Sequence, residues 1–124
     1  MKDSYYFKHD SNARHDPKMQ ILINEHGLEG YGRFWVIVEM LREATHYKLE
    51  TKEYVWAALA LELKISPIEV KSFIKDCVDK YELFNQDDGF FYSPALLSRM
   101  VKLDELRSRR KMAADIRWGN DIKI

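Results

Sequence analysis

Residues 51–92 read TKEYVWAALALELKISPIEVKSFIKDCVDKYELFNQDDGFFY, and their punctuation decides the fold. Thr51-Lys52-Glu53-Tyr54 opens a helix that carries Trp56, Ala57, Ala60 and Leu61. Ser66-Pro67 then restarts the chain. A serine there caps the free amides of the next helix, and a proline at its first position gives up an N–H that has no partner anyway. Val70, Phe73, Ile74, Cys77, Val78 and Tyr81 recur at i, i+3, i+4 spacing, one apolar face of a second helix. Leu83-Phe84-Asn85 and Phe90-Phe91-Tyr92 flank the polar turn Gln86-Asp87-Asp88-Gly89, a hairpin signal. Helix, turn, helix and hairpin in that order predict a mainly α winged-helix fold.

Working outward, Asp16-Pro17 is another cap-and-proline start and predicts a helix over residues 17–26, with Gly27 as its stop. Gly30-Tyr31-Gly32 reads as a second break, and a long helix follows to about Ala44. Phe34, Trp35, Ile37, Val38 and Leu41 make that helix apolar on most sides, which places it at the centre of the domain. Together with Phe73, Ile74 and Val78 these residues form the expected core. Tyr47-Lys48-Leu49 can add a strand to the hairpin, and Tyr5-Tyr6-Phe7 reads as a short extended segment. Ser93-Pro94 is the third cap-and-proline start. Leu96, Leu97, Met100, Leu103 and Leu106 give its helix an apolar face, which turns basic from Arg107 onward. At about 1.5 Å per residue that helix outruns the domain it packs on, so its end is expected to project. The expected division is a winged-helix domain over residues 1–100 and a basic helical extension with a short tail over 101–124.

With 124 residues, 46% of them hydrophobic, the chain is one domain with room for a real core. No run is apolar long enough to span a membrane. The start Met1-Lys2-Asp3 carries no apolar signal region, and the single Cys77 excludes an internal disulfide; both fit a cytoplasmic protein. Cys77 lies on an apolar stripe and reads as a small core residue. Net charge is zero, yet residues 99–118 hold seven basic residues against three acidic ones, a local +4. Residues 1–98 therefore carry −4, an acidic body with a basic final helix.

That asymmetry locates the candidate sites. A recognition helix needs Arg, Lys, Asn or Gln for bases and phosphates. The second helix offers Glu69, Lys71, Ser72, Lys75, Asp76, Asp79 and Lys80, where acids cancel lysines, and the turn tip brings Asp87-Asp88. DNA contact falls instead to Arg107, Arg109, Arg110, Lys111 and Arg117, dense enough to neutralise phosphates without reading bases. The all-apolar run at residues 54–61 suggests a homo-oligomer interface through Tyr54, Trp56 and Leu59, through the apolar face of the last helix, or through both. His9, Asp10, His15 and Asp16 are ligand types without a zinc spacing, and the two aspartates are better explained by turn and cap roles. Arg14 reads as a partner for an acid within the fold. Gly27, Gly30 and Gly32 lack the strand and the lysine of a phosphate loop, and no nucleophile elbow is present. No catalytic residue, metal or cofactor is expected.

The stretches Tyr6-Phe7-Lys8-His9-Asp10-Ser11-Asn12-Ala13-Arg14-His15-Asp16-Pro17-Lys18, Glu29-Gly30-Tyr31-Gly32-Arg33-Phe34-Trp35 and Glu39-Met40-Leu41-Arg42-Glu43 resemble an uncharacterised N-terminal domain family of phage and prophage replication-type proteins. That family looks like a relative of the N-terminal winged-helix domain of the primosomal protein DnaD. The basic, alanine-rich run from Ser108 to Trp118 is similar to a stretch that follows such domains. The resemblance implies a replication-associated DNA-binding or scaffolding module that self-associates, meets other replication proteins, and has more chain behind it. The rival expectation is a pure protein-interaction domain, one that docks a helicase loader without touching DNA.

Overall fold

The computed structural model describes the backbone of residues 13–122 and the side chains of residues 13–116. The expected extended segment at Tyr5-Tyr6-Phe7 lies outside the described residues. A 3-10 turn (Ala13–His15) leads into α1 (Pro17–Glu43), followed by a second 3-10 turn (Thr45–Tyr47) and β1 (Leu49–Glu50). Helices α2 (Glu53–Leu63) and α3 (Pro67–Asp79), strands β2 (Asn85–Asp87) and β3 (Phe90–Tyr92), and the long α4 (Pro94–Ile122) complete the chain.

The helix starts follow from local chemistry. Asp16 Oδ1 accepts the Lys18 N–H at 2.8 Å, with Pro17 in the first turn. At α3, Ser66 Oγ accepts the Glu69 N–H at 3.2 Å, and the Glu69 carboxylate accepts back from the Ser66 N–H, a complete capping box. Ser93 Oγ accepts the Leu96 N–H at 3.2 Å and is itself buried.

Helix α1 departs from expectation in one respect. Gly27 does break it, with φ 74° and ψ −173°. The second break, expected at Gly30-Tyr31-Gly32, is absent: the helix resumes at once and runs through both glycines. Gly30 is there for packing. It is buried, and a Cβ at this position would overlap the Cβ of His26 across the kink. Gly32 faces open space.

The hairpin closes on Asp88 and Gly89, both at positive φ (53° and 78°), as a two-residue turn of this kind requires. Register follows: Asp87 opposes Phe90, Gln86 opposes Phe91 and Asn85 opposes Tyr92. Strand β1 pairs antiparallel with the other edge of β3, giving the order β1-β3-β2. Its residues are Leu49 and Glu50, and the expected Tyr47 sits in the preceding turn.

Phe91 carries the sheet into the core. It is fully buried, stacks on Trp56 at 5.9 Å and leans on Phe84 at 5.8 Å. Phe84 in turn stacks on Phe34 at 5.2 Å, so one aromatic row joins α2, the hairpin and α1. Val70, Phe73, Ile74 and Cys77 fill the i, i+3, i+4, i+7 face of α3. Burial pushes the Cys77 thiol well above its ordinary range, which suits an inert core residue. Two expected core residues are only half-buried: Val78 at the end of the α3 stripe, and Trp35, whose ring is edge-on to Phe34 and Tyr31 at the surface of α1.

Candidate nucleic-acid interface

Helix α4 leaves the body gradually. Leu96 and Met100 are buried and Leu103 is half-buried. The last tether is Asp104: its Oδ2 accepts the Tyr47 hydroxyl at 2.8 Å, and its Oδ1 lies 3.8 Å from Arg107. The Tyr47 hydroxyl is held above its ordinary range, by burial first and by this hydrogen bond second. Every residue from 108 to 116 is exposed. Residues 108–116 therefore carry α4 about 13 Å beyond Arg107 with every side chain exposed.

Of the residues expected to meet DNA, Arg109, Arg110 and Lys111 stand fully on this projecting segment. Arg107 does not stand with them. It is half-buried and faces Asp104, at the point where the helix leaves the domain, so part of its charge serves that junction. The side chain of Arg117 lies outside the described residues. At about 100° per residue, Lys102, Arg107, Arg109, Arg110 and Lys111 share one arc of roughly 200°, while Asp104, Glu105 and Asp115 fall in the remainder. The charges are sorted around the helix as well as along it, and Glu105 and Asp115 border the arc one turn from Arg109 and Lys111, so the attraction for phosphate is strongest around Arg110.

Helix α3 is arranged differently. Of its outward polar residues, Glu69 is consumed by the capping box. Asp76 lies 3.4 Å from His26 Nε2, and Lys80 lies 3.6 Å from Glu25. Glu25 also accepts the Tyr81 hydroxyl, which holds its carboxyl below the usual range. These contacts tie the end of α3 to the first half of α1. What remains beside the hairpin is a cleft of about 350 Å³ where Lys71 and Lys75 sit with Glu53 and Asp79. Two bases facing two acids give no net attraction for phosphate, and the exposed Asp87 and Asp88 at the hairpin tip oppose it.

On α2 the expected interface residues divide. Tyr54 is 61% exposed, but Trp56 and Leu59 are 6% and 1% exposed and belong to the chain's own core. The outer face of α2 is instead Tyr54, Ala57, Ala58 and Leu61, the last 82% exposed. A helix apolar on nearly every side carries no internal sign of which side faces in, and of the three residues expected at the interface Trp56 and Leu59 face the core.

A second, apolar cleft of about 110 Å³ opens between the first turn, α1 and the start of α4, lined in part by Met19, Trp35, Val38, Leu83, Leu96 and Arg99. It is small against the 300 Å³ or so of typical ligand pockets. His15 and Arg14 are exposed at its rim turn, Asp16 caps α1, and His9 and Asp10 lie outside the described residues. Among the described residues no three His, Cys, Asp or Glu side chains gather as metal ligands. No helix among them is long and apolar enough to cross a membrane.

Fold and surface thus define a small, mainly α domain with a three-stranded antiparallel sheet and a projecting, charge-sorted last helix. The chain belongs to the family described as Lin1244/Lin1753-like, N-terminal, which it matches over residues 6–96. That match ends just inside α4, so the basic segment lies beyond it. No curated protein and no solved structure matches the chain.

Proposed function

We propose that this domain is a non-enzymatic, DnaD-like winged-helix module of a phage- or prophage-type replication protein, supporting self-association and nonspecific association with DNA. In this reading α2, α3 and the β2–β3 hairpin are the helix-turn-helix and its wing, and they serve as scaffold. The contact with DNA is made by α4. The observation that carries the reading is the basic arc on the exposed part of α4, with Arg110 at its centre and Arg109 and Lys111 at its edges. Arg and Lys side chains on an exposed helix supply phosphate contacts, the sequence-independent part of DNA binding. Self-association draws support from the apolar outer face of α2.

The test is fluorescence anisotropy with two labelled duplexes of unrelated sequence at low ionic strength. Equal affinity for both supports the reading. A marked preference for one duplex would transfer the contact to α3 and the hairpin. The charge balance of α3 favours a second reading, a protein-interaction domain without DNA contact. Absence of binding to either duplex would make it the better account.

A further inference from the structure

Two exposed helix faces in this fold match each other. On α2, Tyr54, Ala57, Ala58 and Leu61 occupy positions i, i+3, i+4 and i+7, and all four are exposed. Two alanines between a tyrosine and a leucine make a shallow trough with a wall at each end. On α4, Arg109, Met112, Ala113 and Ile116 have the same i, i+3, i+4, i+7 spacing and are likewise exposed. Met112 and Ile116 are each 62% exposed, a convex apolar pair on the side of α4 turned away from Leu96 and Met100. Both strips run over eight residues, about 10 Å of helix from first to last.

Their charges are opposite. Helix α2 carries Glu53 and Glu62 on the flanks of its strip and has no Lys or Arg between its ends. Residues 107–116 hold four basic side chains against Asp115 alone. Pairing α2 with another α2 would set glutamates against glutamates, and pairing two α4 ends would set arginines against arginines. Only the unlike pair sets opposite charges around an apolar centre.

We infer that the projecting end of α4 in one copy of this chain packs on the outer face of α2 in a second copy. Met112 and Ile116 sit over Ala57 and Ala58, between Tyr54 and Leu61, and Arg109 meets Glu53 or Glu62. The inference rests on the self-association in the proposed function and names the two surfaces that make it. It also gives α4 two competing uses, because the arginines that would grip DNA border the strip that meets α2.

Sedimentation velocity at micromolar concentration tests it, on the full chain and on the variants Leu61→Glu and Ile116→Glu. Both side chains are exposed, so thermal melts of the two variants should match the parent. Each variant alone should associate about tenfold more weakly, since each loses an apolar anchor and gains a misplaced acid. An equimolar mixture should regain association: the Leu61→Glu chain contributes an intact α4, and the Ile116→Glu chain an intact α2. A variant that failed to fold could not rescue its partner. Parent-like assembly by Ile116→Glu alone would overturn the pairing in favour of α2 with itself, and a mixture no better than its parts would overturn it too. A monomeric parent would overturn both the pairing and self-association, while DNA association would stand or fall by its own assay.

Discussion

Replacing Gly30 with alanine should destabilise the protein, although the same change in an ordinary helix interior stabilises it. Alanine is favoured over glycine by about 1 kcal/mol at exposed helical positions. At Gly30 that gain meets an overlap. The added Cβ falls on the Cβ of His26, which cannot swing aside because a Cβ moves only with its backbone. His26 is further fixed by its contact with Asp76 at 3.4 Å and by edge-on packing against Phe73 at 5.0 Å and Tyr81 at 5.9 Å. Relief therefore requires opening the Gly27 kink. Overpacking of this kind costs about 1–3 kcal/mol, so after the gain the expected net loss is up to about 2 kcal/mol. Gly32 is the matched control: two residues along the same helix, with nothing near its Cβ position. Gly32→Ala should stabilise by about 0.5–1 kcal/mol. Urea melts followed by circular dichroism read both changes, with an unchanged m-value confirming that stability alone has moved. If both variants stabilise, the close approach across the kink is wrong.

Three further outcomes follow from the same packing. Phe73→Ala should cost about 3–5 kcal/mol in denaturant melts, the range for removing a buried aromatic, and a loss below about 1 kcal/mol would mean that α3 turns another face inward. Tyr81→Phe should flatten the acid limb of the stability curve. The Tyr81 hydroxyl holds the Glu25 carboxyl below its ordinary 4.5, so this contribution is present above that pH and fades as pH falls through the lowered value. An unchanged acid limb in the variant would remove Glu25 from the account. Truncating both anchors of the unlike-helix contact, Leu61→Ala with Met112→Ala, should weaken association no less than either change alone, read by sedimentation.

What could be read from sequence was what local chemistry determines. Asp16-Pro17, Ser66-Pro67 and Ser93-Pro94 mark helix starts because a side-chain oxygen reaches an amide two or three residues on. Asp88-Gly89 marks the hairpin because both residues must adopt positive φ. The α3 face was legible from its spacing, since its apolar and polar sides differ. Helix α2 lacks that contrast, and only the folded chain shows that Trp56 and Leu59 face in while Tyr54 and Leu61 face out. Gly30 looked like a break because its function is a contact with a residue one turn away across a kink. The pairing of Tyr81 with Glu25, of Asp76 with His26 and of Tyr47 with Asp104 joins residues about fifty positions apart. No local pattern encodes such a meeting. The pairing of Arg107 with Asp104 is local, three residues back along α4, but a count of basic residues alone passes over it.

Any grip on DNA should lie in the exposed arc of α4. This placement is tested by the salt dependence of duplex binding for the parent chain, for Arg109→Ala with Arg110→Ala and Lys111→Ala, and for Lys71→Ala with Lys75→Ala. Three phosphate contacts give a log–log slope of about −2.7, equivalent to a roughly fortyfold loss of affinity between 50 and 200 mM salt. The α4 triple variant should lose about that much slope for every duplex sequence alike, while the α3 double variant should keep the parent curve. A triple variant that binds with the parent slope, or an α3 double variant that loses binding, would contradict this placement.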